Sequence, residues 1–203
     1  MREVLPGAIF SVALSLALWG VIWLNVPTIV HENEIIEYLQ VAFLFTGSVI
    51  FLYSFYKVMP NSYGILYLSL GIFYLTFLIR ELEPTETQTV FAIIVNPPVR
   101  NYWLISCWAV ALFLFLRKPK SVFMAFREWI RFKQGAYILF GGIFYLLADL
   151  FDKQIFNIGR ENNLFVEECL EFNGTLFMVL SAFFSLAWSQ PKEWWSRANI
   201  AID

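Results

Sequence analysis

The chain has 203 residues, of which 59% are apolar and 15% are charged, and its formal net charge is -2. Soluble domains are usually about 45 to 50% apolar and about 25% charged, so this composition indicates a polytopic membrane protein. The slightly negative net charge, without a basic stripe of the needed extent, argues against a nucleic-acid partner. We therefore expect a single integral membrane domain over residues 1–203, all-helical, with the lipid bilayer as its surroundings.

Charge-free windows of the sequence predict six membrane-spanning helices. The first window continues without charge from Val4 to Val30, which is too long for the apolar part of a signal peptide. The predicted spans are Leu5–Asn25, Asn33–Tyr56, Ser62–Ile79, Asn101–Leu116, Phe132–Phe151 and Leu164–Trp188. An even number of spans places both termini on the same side of the membrane.

The basic residues orient this bundle. Ten of the 14 Lys and Arg residues fall on the side of the termini, and four fall on the opposite side. The positive-inside rule therefore predicts cytoplasmic termini, and we expect a multi-pass protein of a bacterial inner membrane. Twelve of the 16 acidic residues fall on the opposite, outer side, where their field would concentrate cations.

Two similar acidic motifs open spans two and six. They read Glu34-Ile35-Ile36-Glu37-Tyr38 and Glu168-Cys169-Leu170-Glu171-Phe172. Carboxylates three residues apart lie about 60° apart around a helix, so each motif presents one acidic face. Ionisable groups at membrane depth usually face a protein interior or a cavity, which makes them candidates for function. Because both spans run from outside to inside, the similarity between the two motifs is compatible with a parallel internal repeat.

Two more helix ends contribute charged residues to the outer side. Span three ends in Arg80 and Glu81, and we expect Arg80 to be the counter-ion of a neighbouring carboxylate. Span five ends with Asp149 and Asp152, and Lys153 lies four residues after Asp149, which predicts a local ion pair. The predicted polar pocket therefore comprises Glu34, Glu37, Arg80, Glu81, Asp149, Asp152, Glu168 and Glu171.

The ligand chemistry of this pocket is rich in oxygen and poor in histidine. His31 is the single histidine, so a three-histidine zinc site is excluded. Carboxylates favour a hard divalent cation such as Ca²⁺ or Mg²⁺, for which Glu37, Glu171 and Asp149 are the candidate ligands. The same carboxylates are also suited to carrying protons. The sequence contains no haem-ligating pair of histidines and no glycine-rich nucleotide loop.

Three features outside the pocket complete the predicted architecture. Residues 117–133 interleave basic and apolar side chains, which predicts an amphipathic helix on the cytoplasmic surface. The apolar run Val90–Val95, before a double proline, is too short to span and is predicted to lie at the outer interface or to fold over the acidic site as a lid. Cys107 and Cys169 are predicted to be free thiols, with a disulfide between them as the alternative.

The acidic motifs carry two resemblances. Glu34 to Gln40, Arg80 to Glu83 and Glu167 to Glu171 resemble the acidic signatures of uncharacterised bacterial multi-pass inner-membrane proteins, a resemblance that implies no particular activity. Ile36-Glu37-Tyr38-Leu39-Gln40 is similar to the glutamate-containing helix of alkaline-ceramidase-like membrane hydrolases, which implies hydrolysis of a lipid amide at zinc. The zinc-binding histidines of that family have no counterpart here.

Three functions follow as hypotheses. The pocket binds a cation, a proton or a cationic group; or the chain is a non-catalytic accessory subunit whose acidic face docks a membrane-protein partner or a second copy; or it is a membrane-embedded lipid hydrolase. The sequence favours a protein that is not an enzyme, and it indicates no catalytic residue. Acids that converge inside the bundle would favour the first hypothesis, and acids that point outward would favour the second.

Overall fold

The computed structural model describes residues 35–59, 61–82, 97–156 and 159–188, and the single residues Ala13 and Gly20. Six helices, and no strand, make up the described ranges from residue 35 onward. They are α1 (Ile35–Val58), α2 (Ser62–Glu81), α3 (Pro97–Arg117), α4 (Pro119–Trp129), α5 (Lys133–Asp152) and α6 (Arg160–Trp188). The predicted all-helical class is confirmed for this part of the chain.

Five of these helices are long and apolar enough to cross a membrane. Their apolar segments are Ile36–Val58, Ser62–Glu81, Pro98–Arg117, Lys133–Asp152 and Asn162–Leu186. Each has 20 or more residues, which at 1.5 Å per residue reaches the roughly 30 Å of the hydrocarbon core. The five spans predicted after residue 33 therefore correspond to five helices. The predicted first span, Leu5–Asn25, lies outside the described residues, apart from Ala13 and Gly20.

Helix α1 packs on both α2 and α6, and α5 packs on α6. The helices approach closely where side chains are small. An added Cβ at Gly47 would meet the Tyr74 ring at 2.5 Å, and the Ser48 hydroxyl donates to the Gly71 carbonyl across 3.2 Å. Without a hydrophobic force between helices in lipid, such close contacts and hydrogen bonds are what hold a bundle together.

Gly141 lies where α5 and α6 approach each other closely. A Cβ added there would lie 2.9 Å from the carbonyl oxygen of Gly174, whereas a Cβ at the adjacent Gly142 would meet nothing within 4 Å. The sequence Gly141-Gly142 is thus a helix contact through its first glycine alone. Across the bundle, the Tyr74 hydroxyl donates to the Met178 carbonyl at 2.6 Å and joins α2 to α6.

Helix α4 is a separate amphipathic helix, as the sequence predicts. Val122 and Trp129 are buried against the bundle, whereas Phe123 and Phe126 remain exposed. Trp129 donates through Nε1 to the Ser185 hydroxyl of α6 at 3.1 Å, and the Tyr63 hydroxyl of α2 donates to Glu128 at 2.6 Å. Only part of the apolar face is therefore available to lipid, because the rest is already packed on protein.

Helix α3 lies at the periphery of the bundle. It packs mainly on α2, where Trp108 Nε1 donates to the Thr76 hydroxyl at 3.2 Å, and 6% of its apolar window is buried. In lipid an apolar helix face needs no protein cover, so this exposure fits a membrane-facing helix. Cys107 lies on α3 and Cys169 lies on α6 against Ile36, and both are free thiols.

The chain direction sorts the charged residues to two ends of the bundle. One end of the bundle, which we call the acidic end, contains the starts of α1, α3 and α6 and the ends of α2 and α5. The opposite end carries Lys57, Arg117, the basic residues of α4 and Lys133, and we call it the basic end. The segment of residues 83–96, with the predicted interfacial run or lid, lies outside the described residues.

Candidate functional site

The acidic end brings the ends of α1, α2, α5 and α6 to one level. Antiparallel packing of α2 and α6 pairs Tyr74 with Met178 and Arg80 with Glu171. Helices α1 and α6 run parallel, because Ile36 packs with Cys169 and Phe43 contacts Phe172 at a ring-centroid distance of 5.8 Å. Glu37 of the first acidic motif therefore lies on a helix that neighbours, and runs parallel to, the helix that carries Glu168 and Glu171.

Arg80 is the cation of this region, and it contacts acids from two helices. Its Nη2 forms an ion pair with Glu171 Oε1 on α6, and its Nε lies 3.3 Å from Glu81 Oε1 on α2. The Arg80 side chain is 56% exposed, whereas those of Glu171 and Glu81 are 10% and 9% exposed. The sequence prediction of Arg80 as a counter-ion is confirmed, and the pair ties α2 to α6.

Two aromatic rings support the Arg80 guanidinium. Its Cζ lies 5.5 Å from the centroid of Tyr145 and 6.0 Å from that of Phe77. These distances allow cation–π attraction, which contributes about 0.5 to 2 kcal/mol depending on solvation. Tyr145 reaches this position because Gly174 has no side chain, since a Cβ there would lie 2.8 Å from the ring. Tyr145 was not among the predicted site residues, because its role depends on packing between α5 and α6.

Glu168, like Glu81, has a buried carboxylate oxygen without a hydrogen-bond partner in the described structure. Its side chain is half-buried, and Oε2 is shielded from solvent without a hydrogen-bond partner in the described structure. Glu171 and Glu37 are its strongest electrostatic neighbours, followed by Glu167 and Glu81. Buried polar atoms nearly always find a partner in native proteins, so a carboxylate oxygen left without one calls for an explanation.

Gln40 also carries unsatisfied polar atoms, and it was not among the predicted site residues. It is completely buried, and neither its amide nitrogen nor its amide oxygen has a hydrogen-bond partner in the described structure. It shares the interior face of α1 with Ile36 and Leu44. Helix register places it level with Arg80, one turn deeper than Glu37. A polar amide three residues after Glu37 in an apolar run was the available signal.

The remaining predicted residues lie at the margin of this arrangement. Glu37 is half-buried, and its carboxylate lies within electrostatic range of those of Glu81, Glu168 and Glu171. Glu34 lies outside the described residues. Asp149 is 48% exposed and forms an ion pair with Lys153, as their separation of four residues predicts. Asp152 is exposed but lies near enough to Glu171 for their charges to interact.

The described residues contain no group of three His, Cys, Asp or Glu side chains arranged to hold a metal ion. Of the three predicted metal ligands, Asp149 is turned to the surface toward Lys153, and Glu171 is bound to Arg80. Glu37 lies near Glu171 without completing such a group. His31, the candidate that could extend the donor set from the first loop, lies outside the described residues.

Comparison of the chain with family models, with curated proteins and with solved structures finds no match.

Proposed function

We propose that this chain is a bacterial inner-membrane protein with six spans and cytoplasmic termini. Five membrane-length helices and the apolar run before residue 30 support the span count. The separation of an acidic end from a basic end supports the orientation, because cytoplasmic ends of membrane helices are enriched in Lys and Arg. The acidic end then faces the periplasm.

We further propose that the acidic end takes up a proton, a cation or the cationic group of a ligand. The observation that carries this proposal is the pair of unsatisfied groups, Glu168 Oε2 and the Gln40 amide. A bound cationic group would supply the missing partner for the carboxylate. A bound proton would instead neutralise the carboxylate and turn it into a hydrogen-bond donor.

The charge balance around Glu168 supports the same proposal. The groups within electrostatic range of Glu168 are Glu37 on α1, Glu81 on α2, Tyr145 on α5, and Glu167 and Glu171 on α6. Arg80 on α2 and Asp152 on α5 lie within range of Glu171. Arg80 is the single positive charge among these described groups, and it is already paired with Glu171 and Glu81. An additional positive charge would relieve the mutual repulsion of the carboxylates.

The donor geometry favours a proton or an organic ammonium group over a divalent metal. Ca²⁺ needs six to eight oxygen ligands, and Mg²⁺ needs a near-octahedral set. Among the described residues no three suitable side chains converge in that way. A proton needs a single carboxyl group, and an ammonium group is satisfied by a few oxygen acceptors.

A stabilisation assay tests the proposal on the detergent-purified protein. Its thermal unfolding is followed with choline, Na⁺, Ca²⁺ or Mg²⁺ added separately and with a change of pH. A ligand at about one hundred times its dissociation constant stabilises the folded state by about 2.7 kcal/mol. We expect at least one of these additions to stabilise the protein, an effect that Glu168→Gln removes and Asp149→Asn retains.

Two results would count against the proposal. If every addition leaves unfolding unchanged, or if Glu168→Gln responds as the parent does, the acidic end does not bind at Glu168. Elemental analysis of the parent and of a Glu37→Gln, Glu171→Gln double variant decides the divalent case separately. Stoichiometric metal in the parent alone would establish a metal site in place of the proton or ammonium site.

A non-catalytic accessory subunit is the second candidate, and the Arg80–Glu171 pair favours it because that contact joins α2 to α6 without requiring a ligand. The exposed apolar face of α3 would accept a membrane-protein partner or a second copy. The inward position of Glu81 and Glu171 argues for the binding proposal instead, since acids that dock a partner would point outward. The lipid-hydrolase hypothesis stays a prediction. The zinc-binding histidines of the ceramidase-like family have no counterpart here, and His31, the single histidine of the sequence, lies outside the described residues.

A further inference from the structure

We propose that a groove between α2 and α3 at the acidic end binds the phosphate of an anionic phospholipid through Arg80 and Arg100. The groove encloses about 290 Å³. Its polar lining comes from Thr76, Arg80, Arg100 and Asn101, and its apolar lining comes from Phe77, Ile79 and Leu104. None of the α3 residues belongs to the carboxylate site proposed above.

The positive charge in the groove is partly uncommitted. Arg100 lies in the first turn of α3, donates weakly to Asn101 Oδ1 at 3.5 Å, and forms no ion pair with an acid in the described parts of the chain. The Arg80 guanidinium has five N–H donors, and its contacts with Glu81 and Glu171 do not use all of them. Its side chain is 56% exposed, so the remaining donors are accessible to a ligand. Two guanidinium groups lining one groove provide the fork geometry that binds phosphate.

The field of α3 adds to this positive charge. The N-terminus of a long helix carries a partial positive charge, which favours an anion beside it. Arg100 and Asn101 belong to the first turns of α3, a helix of 21 residues. The groove is therefore a local positive site at an end of the bundle that is otherwise acidic.

The apolar surroundings select a lipid over a free anion. Helix α3 continues from the groove with Trp103 and Val110, which are 41% and 54% exposed and lie within about 80° of Arg100 around the helix. A phosphate held at Arg100 would thus have its acyl chains beside this face, at the depth where headgroup meets hydrocarbon. The floor is fixed because Trp108 Nε1 donates to the Thr76 hydroxyl at 3.2 Å.

Native mass spectrometry of the full chain released from lipid nanodiscs tests this site. The probes are phosphatidylglycerol and phosphatidylcholine with identical acyl chains. We expect the parent to retain phosphatidylglycerol preferentially, and Arg100→Gln to weaken this retention about fivefold to tenfold. Arg100→Lys should recover part of it. Arg160→Gln is the matched control, because Arg160 is exposed at the same end and lies outside the groove.

Four results would overturn the proposal. These are equal retention of the two lipids by the parent, unchanged retention by Arg100→Gln, an equal loss in Arg160→Gln, or displacement of the lipid by inorganic phosphate at a similar concentration. The last result would indicate a site for the free anion. Since Arg100 is not part of the carboxylate site, loss of lipid in Arg100→Gln with unchanged cation or proton response separates this proposal from the proposed function.

Discussion

Arg80 has the most consequential side chain at the acidic end, because it balances carboxylates from two helices. Removing one partner of a fully buried ion pair costs about 3 to 5 kcal/mol, whereas exposed pairs contribute about 0 to 1 kcal/mol. The Arg80 side chain is 56% exposed and that of Glu171 is 10% exposed. The pair therefore lies between these two limits.

We predict that Arg80→Gln lowers the free energy of unfolding by about 2 kcal/mol, because Glu171 loses its cation while remaining buried. The Arg80→Gln, Glu171→Gln double variant should regain part of this loss, since the uncompensated carboxylate is gone. Denaturation of the detergent-purified variants with dodecyl sulfate measures both values. A double variant that is less stable than the sum of the single losses would contradict this account of the pair.

Two tyrosines on α2 give a second prediction from single hydroxyl groups. The Tyr63 hydroxyl donates to Glu128 at 2.6 Å, whereas the Tyr67 hydroxyl is buried without a hydrogen-bond partner in the described structure. Tyr63→Phe should therefore cost about 1 kcal/mol, and Tyr67→Phe should be neutral or stabilising. The same denaturation assay compares them. Equal losses in both variants would contradict the prediction, because only the Tyr63 hydroxyl has a hydrogen-bond partner in the described structure.

Sequence reasoning at the residue scale was accurate for contacts set by local spacing. The Asp149–Lys153 pair follows from a separation of four residues on one helix, and it is present. Arg80 was recognised as a counter-ion, but its aromatic neighbour Tyr145 was not, because their contact joins residues 65 positions apart along the chain. Gln40 was overlooked for a similar reason, since its significance comes from its complete burial in the tertiary packing.

At the scale of elements, Gly141 sets the distance between α5 and α6. A Cβ there would press on Gly174 and Met178, and a Cβ at Gly142 would meet open space. Gly141→Ala should destabilise the protein by about 1 to 3 kcal/mol through overpacking. Gly142→Ala should be neutral or slightly stabilising, because alanine is the better helix former. Thermal unfolding of the two variants provides a matched comparison, and a similar loss in both would contradict this packing.

Helix positions were predictable because uninterrupted apolar windows of membrane length have few alternative structures. Predicted span Ser62–Ile79 became helix Ser62–Glu81, and predicted span Phe132–Phe151 became Lys133–Asp152. Helix α3 begins at Pro97, four residues before its predicted start, because proline is well tolerated in the first turn of a helix. Which faces meet was not predictable, since nearly every face of these helices is apolar.

For the whole molecule, the separation of charge predicts which end faces the cytoplasm. Lys120 is exposed at the basic end, and Lys153 is exposed at the acidic end. We expect a cysteine at position 153 to react with a membrane-impermeant maleimide in intact bacterial cells, and a cysteine at position 120 to react after lysis alone. Both variants would be built in a background without Cys107 and Cys169. The reverse labelling pattern would invert the proposed orientation.

The parallel packing of α1 and α6 brings acidic residues of both helices to the same end of the bundle. Glu37 of the first motif lies within electrostatic range of Glu168 and Glu171 of the second, and Arg80 forms an ion pair with Glu171. The sequence indicated the two motifs and their common direction, and the fold adds that the helices are neighbours. The uptake of a proton or a cationic group at this level is the central claim.

Infrared difference spectroscopy of the reconstituted protein tests that claim most directly, because carboxyl and carboxylate groups have separate vibrational bands. The film is perfused with a pH step and then with choline, Na⁺, Ca²⁺ or Mg²⁺. We predict a carboxyl or carboxylate difference band that disappears in Glu168→Gln and persists in Asp149→Asn. A parent spectrum that matches that of Glu168→Gln under every perfusion would contradict the claim and leave the acidic end as a structural contact between helices.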